Sequence, residues 1–448
     1  MSTIWLPQLH RFAGNKYEQL ASAIGEAVSD GSLSAGSKLP PQRRLADALG
    51  ITLGTVTRAY GRAIEQGWLE ARVGDGTYVR NTQLVQAAGP LDLSTCQQSM
   101  TDQTAILGEA LVQLGRDPER LTNLLGYQGS PQPSQYETVE RFLRDEGFNL
   151  FDGKLVFTQG AQQGIFAALS AQCLPGDTVL HEAWCYPGLN KAAAELGLKL
   201  VGIPLTDEGL ELEALEDAIK SHAPKALYLT PNNQNPACFG YSKTQRTQLI
   251  SLAKNHNLLL IEDDVNYCTQ DEREPTLWQL AGDSGKVVYL SSLSKRFAGG
   301  LRFGFMLLPP SLHARVNQSI HAQCWMVSGL IVELGCEIIR RGGIHQLRDQ
   351  RIKALQRRFI EMTARLKLNG RSRGLNAMLM LPDTMSAGVV IAHLAAKGIL
   401  VRSLADFGGP AHGLRLSFGR IPVGDENTVF EAIESTLALL MTEGDPVV

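Results

Sequence analysis

The sequence predicts an α/β protein with a mostly parallel central sheet, preceded by a small unit of three helices and a hairpin. Two observations carry this. From about residue 93 onward, apolar runs ending in polar tips alternate with helical patterns, as in "KLVFTQGAQQGIFAALSAQCL". Buried strands alternating with helices indicate a mostly parallel sheet. Before that region, three short amphipathic helices are followed by two short strands. A chain of 448 residues has room for several such units, at roughly 100–200 residues per domain.

The N-terminal elements follow in order. "KYEQLASAIGEAVSDG" places Tyr17, Leu20, Ile24, Ala27 and Val28 at helical spacing and stops at Gly31. "SKLPPQRRLADALG" begins with a proline pair, sets Leu45, Ala48 and Leu49 on one face, and stops at Gly50. "ITLGTVTRAYGRAIEQG" is a third helix, with Thr52 as its N-cap and Gly67 beyond its end. "WLEARVGDGTYV" reads as two strands around Gly-Asp-Gly, a hairpin signal. Three helices and a hairpin over residues 1–80 make a winged helix-turn-helix.

On the third helix Val56, Tyr60, Ala63 and Ile64 keep the core spacing. Thr55, Arg58 and Arg62 therefore face the other way, open to a major groove of double-stranded DNA, with Thr57 beside them. Arg43 and Arg44 open the preceding helix, where they can meet phosphates. Gly76 and Thr77 belong to the wing tip. Charge agrees with this division. Residues 1–80 carry 9 Lys/Arg against 7 Asp/Glu, net +2, and the rest carry 33 against 38, net −5. The small basic excess marks the N-terminal part as the one that meets phosphate.

Residues 81–92 read as a short linker. The large region from 93 to 448 shows apolar strands in "DTVLHEAWCYPG", "ALYLTPNNQNP", "LLLIEDDVNY" and "KVVYLSSLSK". In such sheets ligands sit beyond the carboxyl ends of the strands, where these tips lie. From about 310 the pattern turns helix-rich, a C-terminal subdomain with strand candidates near 397–402 and 414–418.

The apolar fraction of 44% and charged fraction of 19% suit a globular chain. Seven widely spaced cysteines, with no C-x-x-C pair, argue against a disulfide framework and a zinc site. The N-terminus "MSTIWLPQLHRFAGNKY" lacks an apolar leader core, and no run is long enough to span a bilayer. These features predict a reduced, cytoplasmic protein with neither metal nor membrane.

The stretch "VVYLSSLSKRFAGGLRFGF" places Lys295 and Arg302 just past a strand, among Ser292, Ser294 and two glycines. Cations with so few acids between them imply a ligand that brings negative charge. A lysine beside another cation and partly desolvated shifts toward the neutral amine, which favours a Schiff base with an aldehyde. Arg302, the serines and the glycine turn can hold a phosphate. A phosphate-bearing aldehyde attached to lysine is pyridoxal 5'-phosphate. "TQGAQQG" then supplies Gly160, Ala161 and Gln162 at a helix N-terminus for the phosphate. "EAWCYPG" offers Tyr186 or Trp184 to stack on the ring, and "PNNQNP" offers Asn235 to the ring's phenolic oxygen. "IEDDVNY" offers a carboxylate for the pyridinium nitrogen.

The order and spacing of these motifs resemble the fold-type I aminotransferases, and the N-terminal unit resembles the GntR regulators. The joined chain resembles the MocR subfamily of GntR regulators over nearly all of residues 14–440. The resemblance implies that Lys295 is the Schiff-base lysine and Asp263, ahead of Asp264, the pyridine partner. It makes Tyr186 the stacking ring, Asn235 the oxygen-side amide, Arg302 with Ser292 a phosphate ligand, and Arg415 in "GLRLSFG" the grip on an effector carboxylate. It also implies a homodimer that binds an operator and senses a small amine, an amino acid or the cofactor itself.

Asn266 stands where the family usually has a tyrosine, with Tyr267 one residue on. Ala161 replaces a usual Ser or Thr, and Tyr136-Glu137 replaces Leu-Arg. Leu53 and Asp75 each stand where GntR domains often carry an arginine, which weakens phosphate attraction. These departures predict cofactor binding with slow or absent transamination. The rival readings are a working aminotransferase carrying a DNA-binding module, and a dimerisation scaffold without cofactor.

Overall fold

The computed structural model describes residues 5–443, apart from 30–31, 35, 67, 73–75, 80–89, 99, 101, 128–129 and 343–346. Gly31, Gly67, the Gly74-Asp75 pair of the wing and most of the expected linker lie outside the described residues. The chain divides into two compact units, Met1–Gly89 and Pro90–Val448.

In the first unit α1 (Lys16–Ser29), α2 (Gln42–Leu49) and α3 (Leu53–Glu65) are followed by strands β1 (Leu69–Arg72) and β2 (Gly76–Val79). The strands pair antiparallel, Leu69 opposite Val79. Gly50, at φ 63°, ends α2 in the left-handed conformation. Two residues on, the Thr52 hydroxyl caps α3 by accepting from the Thr55 N–H at 3.2 Å. Leu20, Ile24, Leu45, Val56, Tyr60, Leu69 and Val79 share one core. One expectation is corrected here. Leu45 and Ala46 are buried, whereas Ala48 is exposed, because the apolar stripe of this short helix runs through 45, 46 and 49.

The second unit begins with β3 (Leu91–Asp92), inside the segment expected to be linker. Strands β4 (Lys154–Thr158), β5 (Thr178–Glu182), β6 (Lys199–Ile203), β7 (Ala226–Leu229), β8 (Leu259–Asp263), β9 (Val287–Ser292) and β10 (Gly304–Leu308) form one sheet. Their order is β4-β10-β9-β8-β7-β5-β6. Strands β5 to β9 run parallel, and β10 runs antiparallel to both β4 and β9. Both faces are covered, and successive residues of one strand enter different cores. Leu227, Leu260 and Tyr289 face one, and Tyr228, Ile261 and Val288 the other. Full burial on both sides explains why these strands read as continuous apolar runs.

A second sheet is antiparallel, built from β11 (Gly370–Arg373), β12 (Asn376–Met380), β14 (Arg402–Ser403) and β15 (Gly413–Ser417), in the order β11-β12-β15-β14. Between them β13 (Ile399–Leu400) pairs in parallel with β3. This subdomain has its own core, including Leu355, Phe359, Leu379, Leu416 and Leu437. The expected boundary near 310 is therefore too early. Helix Pro310–Cys324 places Leu312, Val316 and Ile320 in the core of the large sheet. Helix Gly329–Arg340 puts Val332, Cys336 and Ile338 on the sheet's other side.

Candidate functional site: a cleft at the strand ends

The carboxyl ends of β4, β5, β7, β8 and β9 meet at one edge of the large sheet, and the polar tips gather there. A cleft of about 250 Å³ is lined by Ala161, Gln162, Tyr186, Asn235, Asp263, Asn266, Ser294, Lys295, Arg302 and Arg415. Ten of the residues singled out from sequence thus meet in one place.

Each is positioned by its element. Lys295 follows β9 in a turn, and its ammonium donates to the Cys96 carbonyl. Ser294 is braced by Ser292, whose hydroxyl lies 2.8 Å from that of Ser294 and 2.7 Å from the Phe303 carbonyl. Ser292 is itself buried behind the cleft wall and does not line it. Arg302 has a left-handed backbone, φ 56°, and its guanidinium donates to the Gln159 carbonyl at 3.0 Å. Gly160, at φ 74°, precedes helix Ala161–Gln172, and a Cβ there would come within 2.6 Å of the Arg302 guanidinium. Only glycine meets both conditions.

The paired aspartates have different surroundings. Burial raises the Asp263 carboxyl to about 6, against a hydrogen bond of 2.5 Å from the Tyr228 hydroxyl and one of 3.1 Å from the Val265 N–H. Burial would raise Asp264 too, but Arg273 at 2.6 Å and Arg296 at 3.9 Å hold it below the usual range. Asp264 is committed to a buried ion network that also takes the Tyr289 hydroxyl at 2.7 Å. Asp263 faces the cleft.

Tyr267 is a correction. Its ring packs beside Cys96, Ile352 and Leu375 and its hydroxyl bonds Asp349, away from the cleft. Asn266 does line the cleft, with its amide donating to the Asn233 carbonyl at 3.2 Å. Trp184, the alternative to Tyr186, lies in the partly buried shell of the large core.

Sequence reasoning missed Ser94, Thr95, Cys96, Val265, Arg402 and Phe407, which complete the lining, and Tyr228 behind Asp263. The segment 94–96 comes from the start of the unit, and no local pattern announces a contact 199 residues away. Tyr228 had a signal: it sits next to the end of an apolar strand whose tip already stood out.

The groups left unsatisfied indicate what the cleft can hold. The side-chain oxygens of Asn235 and Gln162, and Nε and Nη1 of Arg415, are buried without protein partners. Among the described residues Arg415 donates from Nη2 alone, to the Ser94 carbonyl at 2.7 Å. A buried polar group without a partner is costly, so the Arg415 nitrogens call for an anionic group on a ligand and the two amide oxygens for its N–H or O–H donors.

The model of the class I and II aminotransferases matches residues 98–435, more than half of the chain. The chain belongs to this family. Its residues 16–79 match the gntR family of bacterial regulatory proteins, and the joined chain is a transcription regulator of the GntR/MocR type. The HTH-type transcriptional regulator YdeF of Bacillus subtilis is 29% identical over 407 residues, covering 88% of this chain and 87% of that one. The vitamin B6 salvage pathway transcriptional repressor PtsJ of Salmonella typhimurium is 25% identical over 451 residues, covering 95% and 99%. Among solved structures, the α-aminoadipate aminotransferase LysN of Thermus thermophilus shares the fold, with a TM-score of 0.71 and 22% identity over 80% of this chain and 94% of that one. The cofactor this aminotransferase family implies is pyridoxal 5'-phosphate. The amine of Lys295, the Asn235 amide in the cleft wall, the buried Asp263 and the Gly160–Arg302 turn fit it.

The regulator's winged helix presents a second candidate surface. Arg43 and Arg44 are exposed in the first turn of α2, and Thr57, Arg58 and Arg62 are exposed on α3, with Thr55 half-buried. Three of these residues are tethered. The Thr55 hydroxyl lies 2.8 Å from that of Thr52, and the Thr57 hydroxyl lies 2.7 Å from the Gln42 side-chain oxygen. Arg62 lies 3.6 Å from the Glu18 carboxylate and over the Tyr17 ring. Arg58 has no ion pair among the described residues. Gly76 opens β2 at φ 142°, exposed. Among the described residues no single helix is long and apolar enough to cross a membrane.

Proposed function

We propose that this regulator binds operator DNA through Arg43, Arg44, Thr55, Thr57, Arg58, Arg62 and Gly76, and senses an amino acid or related amine in the strand-end cleft. It acts as a cytoplasmic homodimer, so that two winged helices read two half-sites. The observation that carries the reading is the cleft itself: a lysine amine, a buried carboxyl and an incompletely paired arginine meet at the strand ends of a chain that also carries a winged helix.

When bound, pyridoxal phosphate supplies an aldehyde that takes up amines reversibly. The chain's own groups define what each side of the site does. Lys295 offers the amine that an incoming effector amine would displace. Asp263, held by Tyr228 and the Val265 N–H, presents a carboxylate that favours a protonated ring nitrogen. Arg302, Ser294 and the uncapped helix start at Ala161 suit a phosphate, and the Asn235 amide a phenolic oxygen. Tyr186, 37% exposed at the cleft, suits ring stacking. Arg415 can close on a carboxylate in two-pronged fashion.

Asn266 supports a sensor over a catalyst of repeated turnover, because the amide is already engaged and Tyr267 is turned away. Borohydride reduction of the purified chain followed by peptide mapping tests the cofactor assignment. The label is expected on the peptide carrying Lys295 and absent from Lys295→Ala; a label on another lysine would sink it.

A further inference from the structure

We infer that the cleft selects an amino acid bearing a second anionic group, a dicarboxylate of the glutamate or aspartate kind, and that Arg402 reads that group. The inference rests on the proposed amino-acid sensing and specifies its ligand class. Arg402 and Arg415 stand directly opposite one another on β14 and β15. Residues so placed on antiparallel strands are close neighbours, and like charges there are destabilising. Both guanidiniums also lie over one ring, Phe407, with centroid distances of 4.9 Å and 5.1 Å. Both line the cleft, together with Phe407.

Neither charge is neutralised from within the cleft. Asp263 is the one carboxylate among the described lining residues, and its bonds go to Tyr228 and Val265. Asp406 accepts from Nε of Arg402 at 2.8 Å, but this is an exposed pair four residues apart, of a kind that contributes little. Among the described residues the two terminal nitrogens of Arg402 have no hydrogen-bond partner, and they remain for a ligand. Arg302 is anchored at the Gly160 turn by the Gln159 and Gly299 carbonyls and is the cation suited to a phosphate. With Arg415 assigned to the α-carboxylate, the in-register Arg402 is left as a second anion site on the same wall.

The test is isothermal titration calorimetry on the full chain loaded with pyridoxal phosphate, using L-glutamate against L-glutamine and L-aspartate against L-asparagine. Each pair is nearly isosteric and differs in charge. The wild-type chain is expected to bind the acid roughly tenfold or more tightly than its amide, as a charge-assisted bidentate contact allows. Arg402→Gln should bring the acid down to the affinity of the amide, and Arg402→Lys should restore part of the preference. Arg415→Gln should weaken acid and amide together. Equal binding of acid and amide by the wild type, or an unchanged preference in Arg402→Gln, overturns the inference and leaves amino-acid sensing standing. If none of the four ligands binds while borohydride places the cofactor on Lys295, this inference falls; amino-acid sensing falls with it only if no other amino acid binds the same loaded chain.

Discussion

Asp263 and Asp264 are adjacent in the chain, equally buried and opposite in behaviour. The difference lies in their partners: two guanidiniums for Asp264, a phenol and one backbone N–H for Asp263. In the cofactor-free chain the folded state holds the Asp263 proton to about 6, whereas an unperturbed aspartate loses it near 3.8. Folding thus takes up a proton between these values, so stability falls as pH rises through that window. Asp263→Ala should remove its part of the slope, and a cationic ring nitrogen beside Asp263 should flatten it. Urea melts of the two chains across the window, with and without pyridoxal phosphate, check this; an identical slope in Asp263→Ala would count against the assignment. At this scale the sequence marked the carboxyl that faces the cleft but not the direction of Tyr267. Beyond the end of β8 the strand's alternation no longer applies, and Tyr267 follows Asp349 instead.

Elements were more legible than single side chains. Parallel strands buried on both faces leave apolar runs with polar tips, so all the strand ends that build the cleft could be read in order. The Gly-Ala step after β4 also read correctly as a helix start, and it carries a prediction. Gly160→Ala would place a methyl on a left-handed backbone and 2.6 Å from the Arg302 guanidinium, so Arg302 must move. The expected result is a folded chain that loses pyridoxal phosphate on dialysis faster than wild type; equal retention, read by absorbance, would remove Arg302 and this turn from the phosphate site. Layer membership was not legible. An amphipathic helix reports that one face is buried but not against which sheet, and so Pro310–Cys324 and Gly329–Arg340 were assigned to the wrong subdomain. The linker's last residues were missed for a similar reason, since β3 finds its partner at Ile399–Leu400, some 300 residues on.

The proposed sensing cleft and the DNA-binding residues lie in separate compact units, so lesions in each should fail differently. Arg58 is exposed on α3 without an ion pair among the described residues, and Arg58→Ala should weaken operator binding while leaving the cofactor spectrum intact. If Arg58 meets a base edge, the loss is about 1–3 kcal/mol and concentrated at one base position. Arg415 is 3% exposed, in the cleft. Arg415→Ala should keep DNA affinity and cofactor and lose the response to amino acids. The most direct measurement is fluorescence anisotropy of the cofactor-loaded full chain on a DNA fragment it selects from its own genome, titrated with amino acids. A ligand that couples the two units should change wild-type DNA affinity by about 5- to 150-fold, and the change should vanish in Arg415→Ala. Wild-type DNA affinity unmoved by every amino acid, or a full response in Arg415→Ala, would contradict the account.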